Sequence, residues 1–183
     1  MIYVLHGEDD FSQKEFLDNL RDEVGVPELL EANTSVLAGG ELTLGQLRDV
    51  CGVVPFLAER RLVVVKGLLA RFDSFRPRRR SRRSSSGQDG LEKWAELAET
   101  LGQLPSTTNL VFLERTIRRD NPLLSNLASV AKVREYRPLA GDILEEWITK
   151  RVSASGGKIA KQAVRKLVDL VGGNLWVLGR ELE

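Results

Sequence analysis

Gly7 follows a short apolar run, Ile2 to Leu5, at the point where a nucleotide-binding α/β protein opens a phosphate-cradling loop of the form Gly-x-x-x-x-Gly-Lys-Ser/Thr. The three positions that need Gly, Lys and Ser/Thr hold Ser12, Gln13 and Lys14 instead. Glu8, Asp9 and Asp10 place negative charge where backbone N–H groups and a lysine should meet phosphate. The turn is therefore expected to bind triphosphate poorly. Leu110 to Leu113, followed by Glu114, resembles the apolar strand and acid that hold magnesium in such enzymes. Without the phosphate loop that acid has nothing to act on, and a structural or solvated role at a strand end is expected.

Other reactive side chains are sparse. His6 is the sole histidine and has no candidate nucleophile beside it in sequence, so it is assigned no catalysis. Cys51 is the sole cysteine, which excludes an internal disulfide framework and a cysteine-rich zinc site, and one histidine cannot build a histidine metal centre. No metal and no cofactor is expected, and the cysteine usage points to a reducing compartment. Trp94 and Trp147 fall in helical patterns and read as packing residues; Trp176 reads as one that could face a further neighbour. The net charge of +1 conceals a cluster of seven arginines within thirteen residues, accompanied only by Asp73. The members with the best claim to a nucleic-acid backbone are Arg78, Arg79, Arg80, Arg82 and Arg83. Such contact would act through counterion release and be blind to sequence. The run lacks the interleaved aromatics of a base-stacking platform, and a solvated insertion is the alternative.

The segment richest in information runs from Gly52 to Lys66. Pro55, Phe56 and Leu57 stand between an amphipathic helix and a buried strand, where a loop could turn apolar side chains outward as an anchor for a partner's pocket. Composition alone favours the other arrangement, in which Phe56 and Leu57 tuck beneath the loop to close the core.

These residues must be positioned by the surrounding elements. Ile2 to Leu5 predicts a strand, and Phe16, Leu17, Leu20 and Val24 recur at helical spacing after it. A second strand is expected near Thr34 to Leu37. Leu44, Leu47, Val50, Cys51 and Val54 then line one face of a helix that Pro55 stops. Leu62 to Val65 is a continuous β-branched run suited to a strand buried on both faces. Residues 71–90 read as an Arg/Ser-rich insertion with too little apolar surface to offset ordering entropy. Helical spacing resumes with Leu91, Trp94, Ala98 and Leu101; Leu110 to Leu113 predicts a fourth strand. Leu123, Leu124, Leu127 and Ala131 mark another helix, and Val133 to Tyr136 a fifth strand. Strands alternating with helices predict an α/β fold with a parallel, doubly wound sheet over residues 1–139. From residue 140 to 183 the alternation gives way to three helical patterns separated by Gly156-Gly157 and Gly172-Gly173, a small helical domain. The last pattern is still running at Glu183, which predicts a longer natural chain. No run of about 18 apolar residues is present and the N-terminus has no signal-peptide pattern, so a cytoplasmic protein with no membrane partner is expected.

The sequence resembles the delta subunit of the bacterial DNA polymerase III clamp loader, an AAA+ relative without ATPase motifs. The opening Tyr3-Val4-Leu5-His6-Gly7-Glu8-Asp9 is similar to that family's start, and the stretch from Pro55 to Lys66 is similar to its best-marked internal motif. Glu135-Tyr136-Arg137-Pro138-Leu139 and Trp147-Ile148 resemble its passage into a lid domain; Gly173-Asn174-Leu175 and Glu181-Leu182-Glu183 resemble the lid's end. The resemblance implies an AAA+-like (P-loop NTPase-like) domain, a helical lid, and a third, C-terminal collar domain that this chain lacks. It implies a non-catalytic component of the DNA polymerase III holoenzyme that binds and helps open the β sliding clamp for loading onto primed DNA. Sister clamp-loader subunits hydrolyse ATP, and ring assembly runs mainly through the collar. In that family a short apolar element before the third strand enters a pocket on the clamp, and the matching positions are Pro55, Phe56 and Leu57. The arginine-rich stretch lies outside the resemblance. A Ser-Arg-Cys arginine-finger triplet is missing, since Cys51 follows Val50.

Two competing readings make different predictions. A degenerate P-loop-like nucleotide-binding enzyme would bind ATP near Gly7 and depend on Glu114. A nucleic-acid-binding module would show salt-sensitive DNA binding that disappears when Arg78 to Arg83 are neutralised.

Overall fold

The computed structural model describes residues 1–73 and 91–182. These form two compact units, Met1–Tyr136 and Arg137–Glu183. The first is built on five parallel strands: β1 (Ile2–Gly7), β2 (Thr34–Ala38), β3 (Arg61–Lys66), β4 (Thr108–Leu113) and β5 (Lys132–Tyr136). Their spatial order is β2-β3-β4-β1-β5, with β1 between β4 and β5. Each strand therefore returns by a crossover, and its helices are α1 (Asp10–Asp22), α2 (Pro27–Asn33), α3 (Leu44–Gly52), α4 (Leu97–Gly102) and α5 (Pro122–Leu127), with a 3₁₀ helix at Leu69–Phe72.

Side-chain alternation along the strands feeds two separate cores. Val4, Val63, Val65, Leu110 and Phe112 point to one face and pack with Leu47 and Cys51 of α3, Leu69 and Phe72 of the 3₁₀ helix, Leu97 of α4 and Leu123 of α5. Tyr3, Leu5, Leu62, Val64 and Val111 point to the other and meet Leu20 of α1 and Val24. Central strands sandwiched in this way read as continuous apolar runs, which is why Leu62 to Val65 carries no polar residue. Full burial of a Leu or Val contributes roughly 1.5–3 kcal/mol, so these two cores hold the sheet together.

The elements depart from the sequence expectations at four places. The helix α2, seven residues long with Pro27 in its first turn, was not anticipated; it is too short to show a period, and its signal is the proline. The third helix ends at Gly52, and Val54 lies beyond it in extended chain with 77% exposure, not on the apolar helix face. A residue preceding proline is pushed out of the α region, so Val54 could not continue the helix. The helical spacing from Leu91 to Leu101 is interrupted: Leu91 and Glu92 are helical, residues 93–96 form turns, and the short α4 follows, while α5 stops at Leu127. Finally, the insertion expected from residue 71 does not include Arg71–Asp73. Phe72 is buried, and the Arg71 guanidinium donates to the carbonyl oxygen of Gly39 at 2.6 Å. The positions Arg78, Arg79, Arg80, Arg82 and Arg83 lie outside the described residues.

The second unit comprises α6 (Gly141–Ala154), α7 (Lys161–Val171) and α8 (Leu175–Glu181). Leu144, Ile148, Val164, Leu175 and Leu178 are its buried side chains. Asn174 caps α8 by accepting the Val177 N–H at 3.2 Å, which sets the helix start one residue after Gly173.

Candidate functional site

Eight residues, Val53 to Arg60, connect α3 to β3, and this loop carries the largest concentration of exposed apolar side chains among the described residues of the first unit. Val54 and Leu57 are each 77% exposed and Phe56 60%, while Pro55 is half-buried. The loop is nonetheless fixed at both ends and in the middle. Before it, the Thr108 hydroxyl donates to the Cys51 carbonyl at 2.9 Å. After it, the Arg61 N–H donates to the Thr107 carbonyl at 2.9 Å and the Arg61 guanidinium to the Ser35 hydroxyl at 2.8 Å. In the middle stands Asn33, the last residue of α2, which is fully buried. Its Oδ1 accepts the Phe56 N–H at 2.7 Å, and its Nδ2 donates to the Phe56 carbonyl at 2.8 Å. The same Nδ2 donates to the Leu29 carbonyl at 2.9 Å.

This arrangement settles the choice the sequence left open. Phe56 and Leu57 are not tucked beneath the loop. Leu57 has φ of +50°, in the left-handed region that side-chain-bearing residues seldom occupy. With the Phe56 backbone tied inward and the following residue turned left-handed, both side chains emerge into solvent. An exposed apolar pair on a loop whose backbone is pinned is a candidate for contact with a partner protein.

The turn after β1 is built differently from a phosphate cradle. The Asp9 carboxylate caps α1 by accepting the Ser12 N–H at 3.0 Å, which fills the place an anion would take. The Gln13 amide donates to the Gly7 carbonyl at 3.1 Å, and Gln13 is buried. Gly7 has φ of +132°, and a Cβ there would lie 1.9 Å from the Tyr136 carbonyl oxygen. A cavity of about 350 Å³ remains in front of the turn, lined by Gly7, Glu8, Asp10, Gln13, Arg115 and Thr116. Its two carboxylate-bearing residues are poor company for phosphate.

Glu114 is buried, and its Oε1 and Oε2 accept the N–H groups of Leu69 at 2.7 Å and Ala70 at 3.2 Å. It caps the 3₁₀ helix; burial pushes its carboxyl above the usual range while those N–H donors pull it down. His6 lies in β1 opposite Glu135 of β5, and burial lowers its pKa with Glu135 opposing. The Cys51 thiol, fully buried, is pushed up to about 12. Trp94 is buried in the first unit's core; Trp147 is half-buried under the Arg151 guanidinium, and Trp176 is 47% exposed. Among the described residues no group of three or more His, Cys, Asp or Glu could hold a metal, and no helix is long and apolar enough to cross a membrane.

Residues 3–137 match the model of the family described as DNA polymerase III, delta subunit. The chain belongs to that family. The match coincides with the first unit and includes the whole Pro55 to Lys66 segment. No curated protein sequence matches the chain. Among solved structures, the Bacillus subtilis DNA clamp loader delta protein (YqeN) is similar in fold, with a TM-score of 0.74 at 22% identity over 99% of this chain and 51% of that one. This delta-family chain thus spans about half the length of that protein. A DNA polymerase III gamma subunit-related protein of Thermotoga maritima has a TM-score of 0.46 at 13% identity, covering 83% of this chain and 45% of that one. A Walker-type ATPase of Pyrococcus abyssi has a TM-score of 0.46 at 12% identity, covering 99% and 60%. The first unit, a five-stranded parallel sheet flanked by helices, and the helical unit after it share the fold of that clamp loader delta protein.

Sequence reasoning singled out Pro55, Phe56 and Leu57 but missed two parts of the site. Val53 and Val54, 47% and 77% exposed, extend the apolar surface upstream. Asn33 lies more than twenty residues earlier, and an asparagine before a strand carries no signal of a contact so remote.

Proposed function

We propose that this chain is the clamp-engaging part of a delta-family clamp-loader subunit, docking on the ring-shaped β sliding clamp through Phe56 and Leu57, with Pro55 and Val54 at the margin. The observation that carries this reading is the solvent exposure of Phe56 and Leu57 on a loop whose backbone is pinned at Cys51, Phe56 and Arg61. Family membership supplies the partner. Binding here would favour the opened clamp, so that it can be placed on primed DNA while sister loader subunits hydrolyse ATP. The chain itself performs no hydrolysis in this reading. The Asp9 cap and the Gln13 bond support that, because they use the helix N-terminus and the Gly7 carbonyl internally. Its place of action is the bacterial cytoplasm, where replication occurs.

The test is calorimetric titration of this chain with the sliding clamp, comparing wild type, Phe56→Ala, and a variant with Arg78 to Arg83 neutralised. Loss of binding in Phe56→Ala, with the arginine variant unaffected, supports the docking assignment. Binding that survives Phe56→Ala, or no binding by the folded wild type, removes it.

A further inference from the structure

Asn33 has no exposed surface, and all three of its hydrogen bonds go to main-chain groups. The bond from Nδ2 to the Leu29 carbonyl, one turn back along α2, orients the carboxamide. With that orientation set, Oδ1 and Nδ2 face the Phe56 N–H and C=O as a neighbouring strand would, one accepting and one donating. The chemistry needed at this position is narrow. Aspartate keeps the acceptor and loses the donor, and glutamine carries the same amide on a longer arm that no longer matches the reach set by Leu29.

We propose that Asn33 is a positioning residue for the docking element, holding Phe56 and Leu57 in their outward conformation before any partner arrives. The proposal rests on the docking reading for its purpose but not for its physical content. An eight-residue loop bearing four exposed apolar side chains would gain by folding some of them onto nearby apolar surface. Two hydrogen bonds to the Phe56 backbone oppose that collapse at its centre, and they adjoin the residue whose left-handed φ most needs support. An anchor ordered in advance spends none of its binding free energy on ordering, and a protein whose competent state is only fractionally populated binds more weakly by that fraction. Asn33 also ties the loop to the junction of α2 and β2, so the docking element is part of the first unit's framework, not an appendage to it.

The experiment has two arms, each applied to Asn33→Ala and to Asn33→Asp, which keeps the size but sets a buried carboxyl against the Leu29 and Phe56 carbonyl oxygens. In the chain alone, amide hydrogen exchange is measured at Phe56 and Leu57 and, as an internal control, at Leu62 to Val65. In wild type the Phe56 amide is protected; in Asn33→Ala its protection falls at least about tenfold while the β3 amides keep theirs. In the second arm, association and dissociation rates with the sliding clamp are measured. Loss of positioning slows association about tenfold and changes dissociation less than about twofold, because the bound contacts are the same once made. Unchanged exchange at Phe56 overturns the proposal, as does protection lost equally across β3, which would make Asn33 a general stability residue. If wild type does not bind the clamp, the docking reading fails while the exchange arm still decides the role of Asn33.

Discussion

The carboxylate of Glu114 accepts the backbone N–H of Leu69 at 2.7 Å, joining the end of β4 to the 3₁₀ helix that follows β3. An acid in this position resembles a magnesium-holding residue in sequence, was expected to be structural or solvated, and is a helix cap in the fold. Because burial raises its folded pKa above the ordinary 4.5, the folded state binds the proton more tightly than the unfolded one. Its contribution to stability is therefore fully present below about pH 4.5 and declines as pH rises through the raised value. Denaturant unfolding of wild type and Glu114→Gln across pH 4 to 8 should show the wild-type advantage shrinking with pH. An advantage that is constant or grows would mean that the Leu69 and Ala70 donors outweigh desolvation.

Truncating Phe56 should separate binding from folding. Its side chain is 60% exposed, so Phe56→Ala should change stability by no more than about 0.5 kcal/mol. As an anchor seated in a pocket it should contribute about 2–4 kcal/mol to binding. Thermal melts and clamp titrations on the same preparation test both halves. A large drop in melting temperature would show that Phe56 belongs to the core.

Leu57 offers a sharper version of that test. A left-handed backbone costs an L-residue roughly 1–2 kcal/mol and costs glycine almost nothing. Leu57→Gly should leave stability unchanged or raise it by up to about 1 kcal/mol, less whatever glycine adds to the entropy of the unfolded chain. Clamp binding should nonetheless weaken, since the side chain is gone. Lower stability in this variant would mean that Leu57 packs against the protein in solution.

Cys51 should be inert in the native state. It has no exposed surface and its thiol is pushed up to about 12, so almost none is thiolate near neutrality. Reaction with an aromatic disulfide reagent at pH 8 should proceed at the rate of unfolding and accelerate with denaturant. Rapid labelling without denaturant would contradict the packing of α3 on the sheet.

Gly7 should tolerate no side chain. In Gly7→Ala the new Cβ would meet the Tyr136 carbonyl oxygen at 1.9 Å, in a backbone conformation with φ of +132°. A loss of about 3 kcal/mol or more is expected, read as a lowered unfolding midpoint or as failure to accumulate folded protein. Near-wild-type stability would mean that β1 and β5 can separate at this end.

The five strands were legible because buried parallel strands write themselves as apolar runs, as Leu62 to Val65 and Leu110 to Leu113 do. Their order was not, since which strand lies beside β1 depends on crossovers that leave no local mark. The short α2 escaped because seven residues do not complete two periods, and Val54 was misplaced because the restriction imposed by Pro55 outweighs apolar spacing. In the loop between α3 and β3, the residue types of Phe56 and Leu57 were plain but their direction was not. That direction is set by the Asn33 carboxamide and by a left-handed leucine, and neither has a compositional signature. Glu114 shows the converse: its type and place were read correctly, and burial with two backbone donors decided among roles that the sequence could only name.

The turn after β1 also bears on what this fold can become. Asp9 caps α1, Gln13 closes on the Gly7 carbonyl, and the Gly7 backbone presses against Tyr136. Restoring a phosphate cradle there would mean removing the cap and freeing the carbonyl, and each of these steps forfeits a native hydrogen bond. Exposed side chains of the loop before β3 can change with little such cost, whereas the first turn resists change.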